Sequence, residues 1–192
     1  MKKVLLSVFF MLTALTINAQ EDNKVNVTAG IGASSVVGSD AKTTSAFSYK
    51  LGIAYDCKVA ENFYIVPGLD FVAKGFNSTS IEGRINMSYI QIPVSATYKF
   101  SITDNVRVGA HVGPYFSFGI YGSDIELYNG TEFNMFDADL GYKRFDTGVI
   151  TGIDIEFYKF SVGFEYSRGF VKLDPNYSQF NQTIGVAFGY DF

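Results

Sequence analysis

The chain has no tryptophan, one cysteine and one histidine among 192 residues, and only four prolines. A lone Cys57 forms no intramolecular disulfide, and with His111 as the single imidazole a multi-cysteine or multi-histidine metal centre is excluded. Basic character is scarce too: 15 Lys and Arg stand against 19 Asp and Glu, with no basic run, which argues against nucleic acid as a partner. Long apolar runs are missing except at the start. Lys2 and Lys3 precede the apolar stretch Val4–Leu15, and Ile17-Asn18-Ala19 precedes Gln20, which is the pattern of a secretory signal cleaved after Ala19. That stretch falls short of the roughly 20 residues a spanning helix needs. We therefore expect residues 1–19 to be removed and 20–192 to form one domain, more acidic than the −4 of the full chain.

What the chain has in quantity is glycine (19), phenylalanine (19) and tyrosine (13), a balance that favours twisted strands. Alternation with a period of two recurs in segments of about ten residues, the dyad signal of a membrane barrel. Eight such segments are readable: Val25–Ser35, Phe47–Lys58, Phe63–Lys74, Tyr89–Phe100, Val106–Tyr121, Asp146–Phe157, Phe160–Ser167 and Asn181–Phe192. The last sets Ile184, Val186, Phe188, Tyr190 and Phe192 against Thr183, Gly185, Ala187, Gly189 and Asp191. One face is large and apolar, the other small or polar.

The charges orient these faces. Lys50, Asp56, Lys58, Asp70, Lys74, Lys99, Arg107, Asp154, Glu156 and Glu165 all fall on the small-polar face. A Lys or Arg facing lipid at mid-bilayer costs roughly 2–4 kcal/mol, so inverting the phase would cost on the order of 10 kcal/mol or more. The expected fold is an all-β, eight-stranded antiparallel up-and-down transmembrane barrel with its charges inside. Short connections (60–62, 101–105, 158–159) alternate with long ones (36–46, 78–88, 122–145, 168–180), as periplasmic turns alternate with external loops. Aromatics at the strand ends, namely Phe63, Tyr98, Phe100, Phe157, Phe160, Tyr190 and Phe192, are expected to form the inner girdle. Within the longest loop, Asn129-Gly130 signals an external hairpin over 125–136. Pairing its arms into the sheet would give ten strands, but they are short and acidic for lipid. Pro67, Pro93 and Pro114 sit mid-strand and are expected to mark bulges or register shifts. Cys57 is expected to face lipid near the inner girdle.

Tyr89-Ile90-Gln91-Ile92-Pro93 with Tyr98-Lys99-Phe100, then Gly113-Pro114-Tyr115, Arg144-Phe145-Asp146-Thr147-Gly148, Phe164-Glu165-Tyr166 with Arg168-Gly169-Phe170, and the closing Gly189-Tyr190-Asp191-Phe192 occur in that order. In this succession the chain resembles the PorT-like outer-membrane β-barrel family. The resemblance implies an eight-stranded barrel of largely unassigned function, with one branch accessory to protein secretion.

For chemistry, the polar face offers one network: Lys50, Asp56, Asp70, Lys74, Arg107, His111, Asp154, Glu156 and Glu165. His111 could act as a general base, but it points inward, away from lipid acyl chains, and a hydrogen-bonded place in a polar plug is the plainer reading. Eight strands enclose a space that side chains fill, so a salt-bridged interior is favoured over a pore. The loop acids Asp124, Glu126, Glu132, Asp137 and Asp139 could hold Ca²⁺ weakly; a solvated acidic loop is the simpler account. The expectation is a non-enzymatic protein of the Gram-negative outer membrane, without cofactor or metal, whose external loops bind a ligand or dock an envelope protein. Its other partners would be outer-membrane lipid and the barrel-assembly machinery. A lipid-modifying enzyme and a narrow solute channel are the alternatives.

Overall fold

The structure is a computed structural model and describes residues 23–38, 43–78, 83–122, 136, 143–173 and 178–192. The signal segment, the acidic stretch and the Asn129-Gly130 hairpin lie outside the described residues, save Phe136. Eight strands, β1 (Lys24–Val37), β2 (Thr43–Ala60), β3 (Phe63–Ser78), β4 (Gly83–Thr103), β5 (Val106–Gly122), β6 (Phe145–Phe157), β7 (Phe160–Gly169) and β8 (Phe180–Asp191), form a closed barrel in chain order. All neighbours are antiparallel, and β1 closes onto β8 through an unbroken register from Asn26↔Asp191 to Val37↔Phe180. No ladder edge is left open along that seam, which is what lets a sheet stand in lipid.

The expected alternation determines what faces outward. Leu51, Ile53, Leu69, Ile92, Val112, Phe116, Ile153, Phe164 and Phe188 are all exposed on the outer wall. In the same strands Asp56, Asp70, Lys74, Lys99 and Glu156 are buried inside. Three two-residue turns, 61–62, 104–105 and 158–159, lie at one end, as the short connections should. The girdle forms at that end: Phe160 meets Tyr190 with ring centroids 5.2 Å apart, and Tyr190 meets Phe192 at 4.9 Å.

Strands reach further at the outer end than the alternation suggested. β4 starts at Gly83 rather than Tyr89, β2 at Thr43 rather than Phe47, and β7 runs through Arg168 to Gly169. The reason is an inversion of polarity. Below Tyr89 the inward side chains of β4 are Gln91, Ser95, Thr97 and Lys99, and the outward ones are Ile90, Ile92, Tyr98 and Phe100. Above it, Ile85, Met87 and Tyr89 point inward and are buried. The parity never breaks, but lipid is replaced by water outside, so apolar side chains turn to the interior as in a soluble barrel.

The prolines behave differently from expectation. Register is the same on both sides of each: Ala54↔Gly68 and Cys57↔Ile65 around Pro67, Pro67↔Val94 and Asp70↔Gln91 around Pro93, and Pro93↔Tyr115 and Ala96↔Val112 around Pro114. Each proline opens a two-residue gap in one ladder, because it removes a single donor and inserts no residue. The register shifts occur elsewhere, at Ser45/Tyr49, Lys58/Ala60, Ser88/Tyr89 and Ser101/Thr103. Cys57 keeps the outward parity of Leu51 and Ile53, but neighbouring side chains cover it, and its Sγ lies 3.9 Å from the carbonyl oxygen of Tyr55, the residue opposite Pro67. A thiol stands where the proline supplies no N–H.

Candidate functional site: the lumen

The lumen is layered. At the periplasmic end Lys99 is the hub: its Nζ contacts Asp56 and lies 2.7 Å from Glu156, and it sits 5.1 Å from the ring centroid of Tyr64. Glu156 also pairs with Arg107, its directly opposite residue across β5 and β6. Asp191 extends the cluster, 3.6 Å from Lys24 and 4.0 Å from Arg107, and accepts a 2.7 Å hydrogen bond from Asn26. Side chains of Asp56, Lys99 and Glu156 are each about 7% exposed or less, so these charges have left water and depend on one another.

Above this lies a cavity of about 150 Å³ lined by residues that include Asp70, Ser95, Thr97, His111, Asp154 and Ser161. Imidazole Nδ1 of His111 is 3.2 Å from Asp154 Oδ1. Opposite glycines make the room: Gly152 faces His111 and Gly109 faces Asp154 across the β5–β6 ladder. A Cβ at Gly152 would come within 2.6 Å of the His111 ring. Lys50 and Glu165 form a separate ion pair on the other wall.

The third layer surrounds Lys74, the most buried of the lumenal bases at 2% exposure. Its Nζ donates to Gln91 Oε1 at 3.2 Å and lies 4.7 Å from the Tyr115 ring centroid and 5.4 Å from that of Tyr89. Ser117 donates to the same Gln91 oxygen, while Tyr115 and Asn181 both donate to Asp146 Oδ2 at 3.1 Å. At the outer mouth the polar layers give way to an apolar plug of Val36, Phe76, Ile85, Met87, Tyr89, Phe136 and Leu173. Phe136 comes from the longest connection and packs edge-on against Tyr89, with ring centroids 5.8 Å apart. Arg144 fixes it there, donating to the Phe136 carbonyl at 3.1 Å and to that of Gly119 at 3.4 Å.

All nine residues singled out from the sequence as the lumenal network line the interior, but only seven are ion-paired, in three groups. Asp56, Arg107 and Glu156 join through Lys99; His111 pairs with Asp154; Lys50 pairs with Glu165. Asp70 and Lys74 have no ion pair within 4.0 Å among the described residues, although both are buried. Sequence reasoning missed Asp146 and Asp191 as members, left Lys99 on the polar face without assigning it to the network, and missed the whole apolar plug. The first two carry the same parity signal as the rest; the plug has a signal only once the polarity inversion is recognised. Among the described residues no cluster of three or more His, Cys, Asp or Glu is placed to hold a metal.

Residues 7–174 match the family model described as the outer membrane protein beta-barrel domain. The chain belongs to that family. With the closed barrel and its apolar outer wall, this makes it an integral protein of the Gram-negative outer membrane. No curated protein matches the sequence. Among solved structures the barrel is similar to the outer membrane enzyme PagL (12% identity, 86% of this chain and 98% of that one, TM-score 0.54). It is similar too to Neisserial surface protein A (14%, 90% and 100%, TM-score 0.54) and to OprG from Pseudomonas aeruginosa (9%, 88% and 95%, TM-score 0.50). At these identities the likeness is one of fold, and an enzyme and a surface protein share it.

Proposed function

We propose that this family member is a non-enzymatic barrel whose extracellular connections bind a ligand or dock an envelope protein, and that it belongs with the PorT-like barrels. The observation that carries the reading is the filled lumen. An ion-paired cluster occupies one end and an apolar plug the other, so the barrel is built as a support rather than a conduit. The longest connection is tied to that support through Phe136 and Arg144. His111 is oriented by Asp154, but among the described residues no serine or threonine hydroxyl hydrogen-bonds its ring. A nucleophile-activating arrangement needs that hydrogen bond, so the geometry favours a structural imidazole over a hydrolytic one. The ordered motifs from Tyr89-Ile90-Gln91-Ile92-Pro93 to Gly189-Tyr190-Asp191-Phe192 support the PorT-like placement.

The test is photo-crosslinking in intact envelopes from probes placed within 123–142, with a probe at the periplasmic turn 104–105 for comparison. A discrete partner captured from the outer positions and lost when the connection is shortened is the expected outcome. Steady conductance of the purified barrel in planar bilayers, or fatty-acid release abolished by His111→Ala, would replace the reading with the channel or the enzyme.

A further inference from the structure

Among strand residues whose side chains are described, one charge lies on the lipid-facing side. β7 presents Phe160, Val162, Phe164 and Tyr166 outward, and Arg168 continues that face two residues on. It sits at the outer end of the strand, opposite Val149 on β6 and Gln182 on β8, where Gly169 ends the ladder. Lys24, Lys50, Lys99 and Arg107 in the lumen each have a carboxylate within 4.0 Å; Arg168 has none within 4.0 Å among the described residues. Its Nη1 donates to Gln182 Oε1 at 3.1 Å, and its guanidinium lies 5.6 Å from the ring centroid of Phe180. Tyr166 donates to the same Gln182 oxygen at 3.4 Å. That oxygen therefore faces both donors, which turns the Gln182 amide nitrogen away from them. What remains on offer is donors only: the unused N–H groups of Arg168 and the NH₂ of Gln182.

Asp146, beside Gly169, faces the lumen, where Tyr115 and Asn181 donate to it, and the described connections around Arg168 carry cations only. The adjoining described residues 143–145, 169–173 and 178–180 add Lys143, Arg144 and Lys172 and no carboxylate. A cation on a lipid face is tolerated only near the interface, where its cost falls to about 0–1 kcal/mol. A guanidinium at that depth meets the headgroups of the outer leaflet, and its planar fork matches phosphate oxygens two at a time.

We propose that Arg168 and Gln182, framed by Tyr166 and Phe180, bind the phosphate of an outer-leaflet lipid headgroup. The acyl chains of that lipid run down the wall past Tyr166, Phe164 and Ile184, which are apolar and face outward. Lys172 and Lys143 add long-range attraction to the same group.

The experiment reads lipid retained on the purified full-length barrel by native mass spectrometry. The barrel is taken from phosphatidylcholine vesicles containing lipid A, dephosphorylated lipid A or neither. Wild type retains phosphorylated lipid A, Arg168→Gln retains about tenfold less, as expected for loss of one charge-assisted contact, and Arg168→Lys falls between because it keeps the charge and loses the fork. Gln182→Ala loses less than Arg168→Gln. Unchanged heat-dependent gel mobility in plain phosphatidylcholine certifies folding of each variant, and Gln182→Ala with Arg168→Lys carry the test should Arg168→Gln fail to fold. Equal retention by wild type and variants overturns the proposal, as does equal retention of the dephosphorylated lipid. Displacement of the lipid by millimolar inorganic phosphate in micelles assigns the site to the free anion and overturns the lipid source.

Discussion

Replacing Lys99 by methionine should be among the most damaging single changes to this barrel. The ammonium holds Asp56 and Glu156 at once, and all three side chains are almost fully buried. Glu156 keeps Arg107 when Lys99 is removed. Asp56 has no other cation within 4.0 Å among the described residues. One uncompensated buried carboxylate therefore remains, and breaking a buried pair from one side costs about 3–5 kcal/mol. Methionine fills most of the vacated volume, so packing contributes little to the loss. The assay is reversible urea unfolding from vesicles, followed by the gel-mobility shift of the folded barrel. Lys99→Met should be destabilised by about that amount, and Lys99→Met with Asp56→Leu should recover most of it, because replacing a buried pair by apolar residues is often neutral. A double-mutant cycle isolates the coupling. Should Lys99→Met lie within about 0.5 kcal/mol of wild type, or the double variant be no better than the single, the lumenal cluster is not the energetic unit described.

Further expectations follow from the same layers. Phe136→Ala removes the side chain that the long connection places in the plug and should cost about 3 kcal/mol or more; limited proteolysis should then cut within 123–142 faster than in wild type. Gly152→Ala places a Cβ 2.5 Å from the Phe164 carbonyl oxygen and 2.6 Å from the His111 ring and should cost about 1–3 kcal/mol; Gly152→Ala with His111→Ala should recover only part of it, because the backbone contact remains, measured by the same urea unfolding. Deleting Phe192 removes a ring packed edge-on against Tyr190 and the last residue of the seam, where its N–H donates to the Val25 carbonyl at 2.9 Å. Insertion by the assembly machinery in cells should fall more than the stability of barrels already folded, compared by surface yield against unfolding midpoint.

Most of the architecture was legible because lipid enforces a strict rule. Within the bilayer every outward side chain must be apolar and every charge must turn in, so parity alone placed Lys50, Asp56, Asp70, Lys74, Arg107, His111, Asp154, Glu156 and Glu165 in the lumen. Their pairing was not legible. Which base meets which acid depends on register and on side chains reaching across the barrel: Lys50 meets Glu165, 115 positions away, and alternation carries no such information. The outer strand ends were missed because the rule reverses in water. Ile85, Met87 and Phe76 look out of phase with a membrane strand, yet they are in phase with the plug. Arg168 was read as loop for the same reason, since a charge on the greasy face ends a membrane pattern without ending the strand. The prolines misled in a subtler way: one missing donor leaves a gap in a ladder, and a register shift requires an extra residue that none of the three supplies.

The barrel's orientation in the membrane is set by which way β4 faces along its length, and fluorescence quenching measures this directly. Single cysteines in a Cys57→Ser background would carry a small fluorophore at successive positions from Asn86 to Tyr98, in vesicles of brominated lipid. Strong quenching is expected at Ile90, Ile92, Val94, Ala96 and Tyr98, little at Gln91, Ser95 and Thr97, and none at Asn86 and Ser88, which stand above the bilayer. Quenching at Gln91 and Ser95 with protection at Ile92 and Val94 would contradict that orientation.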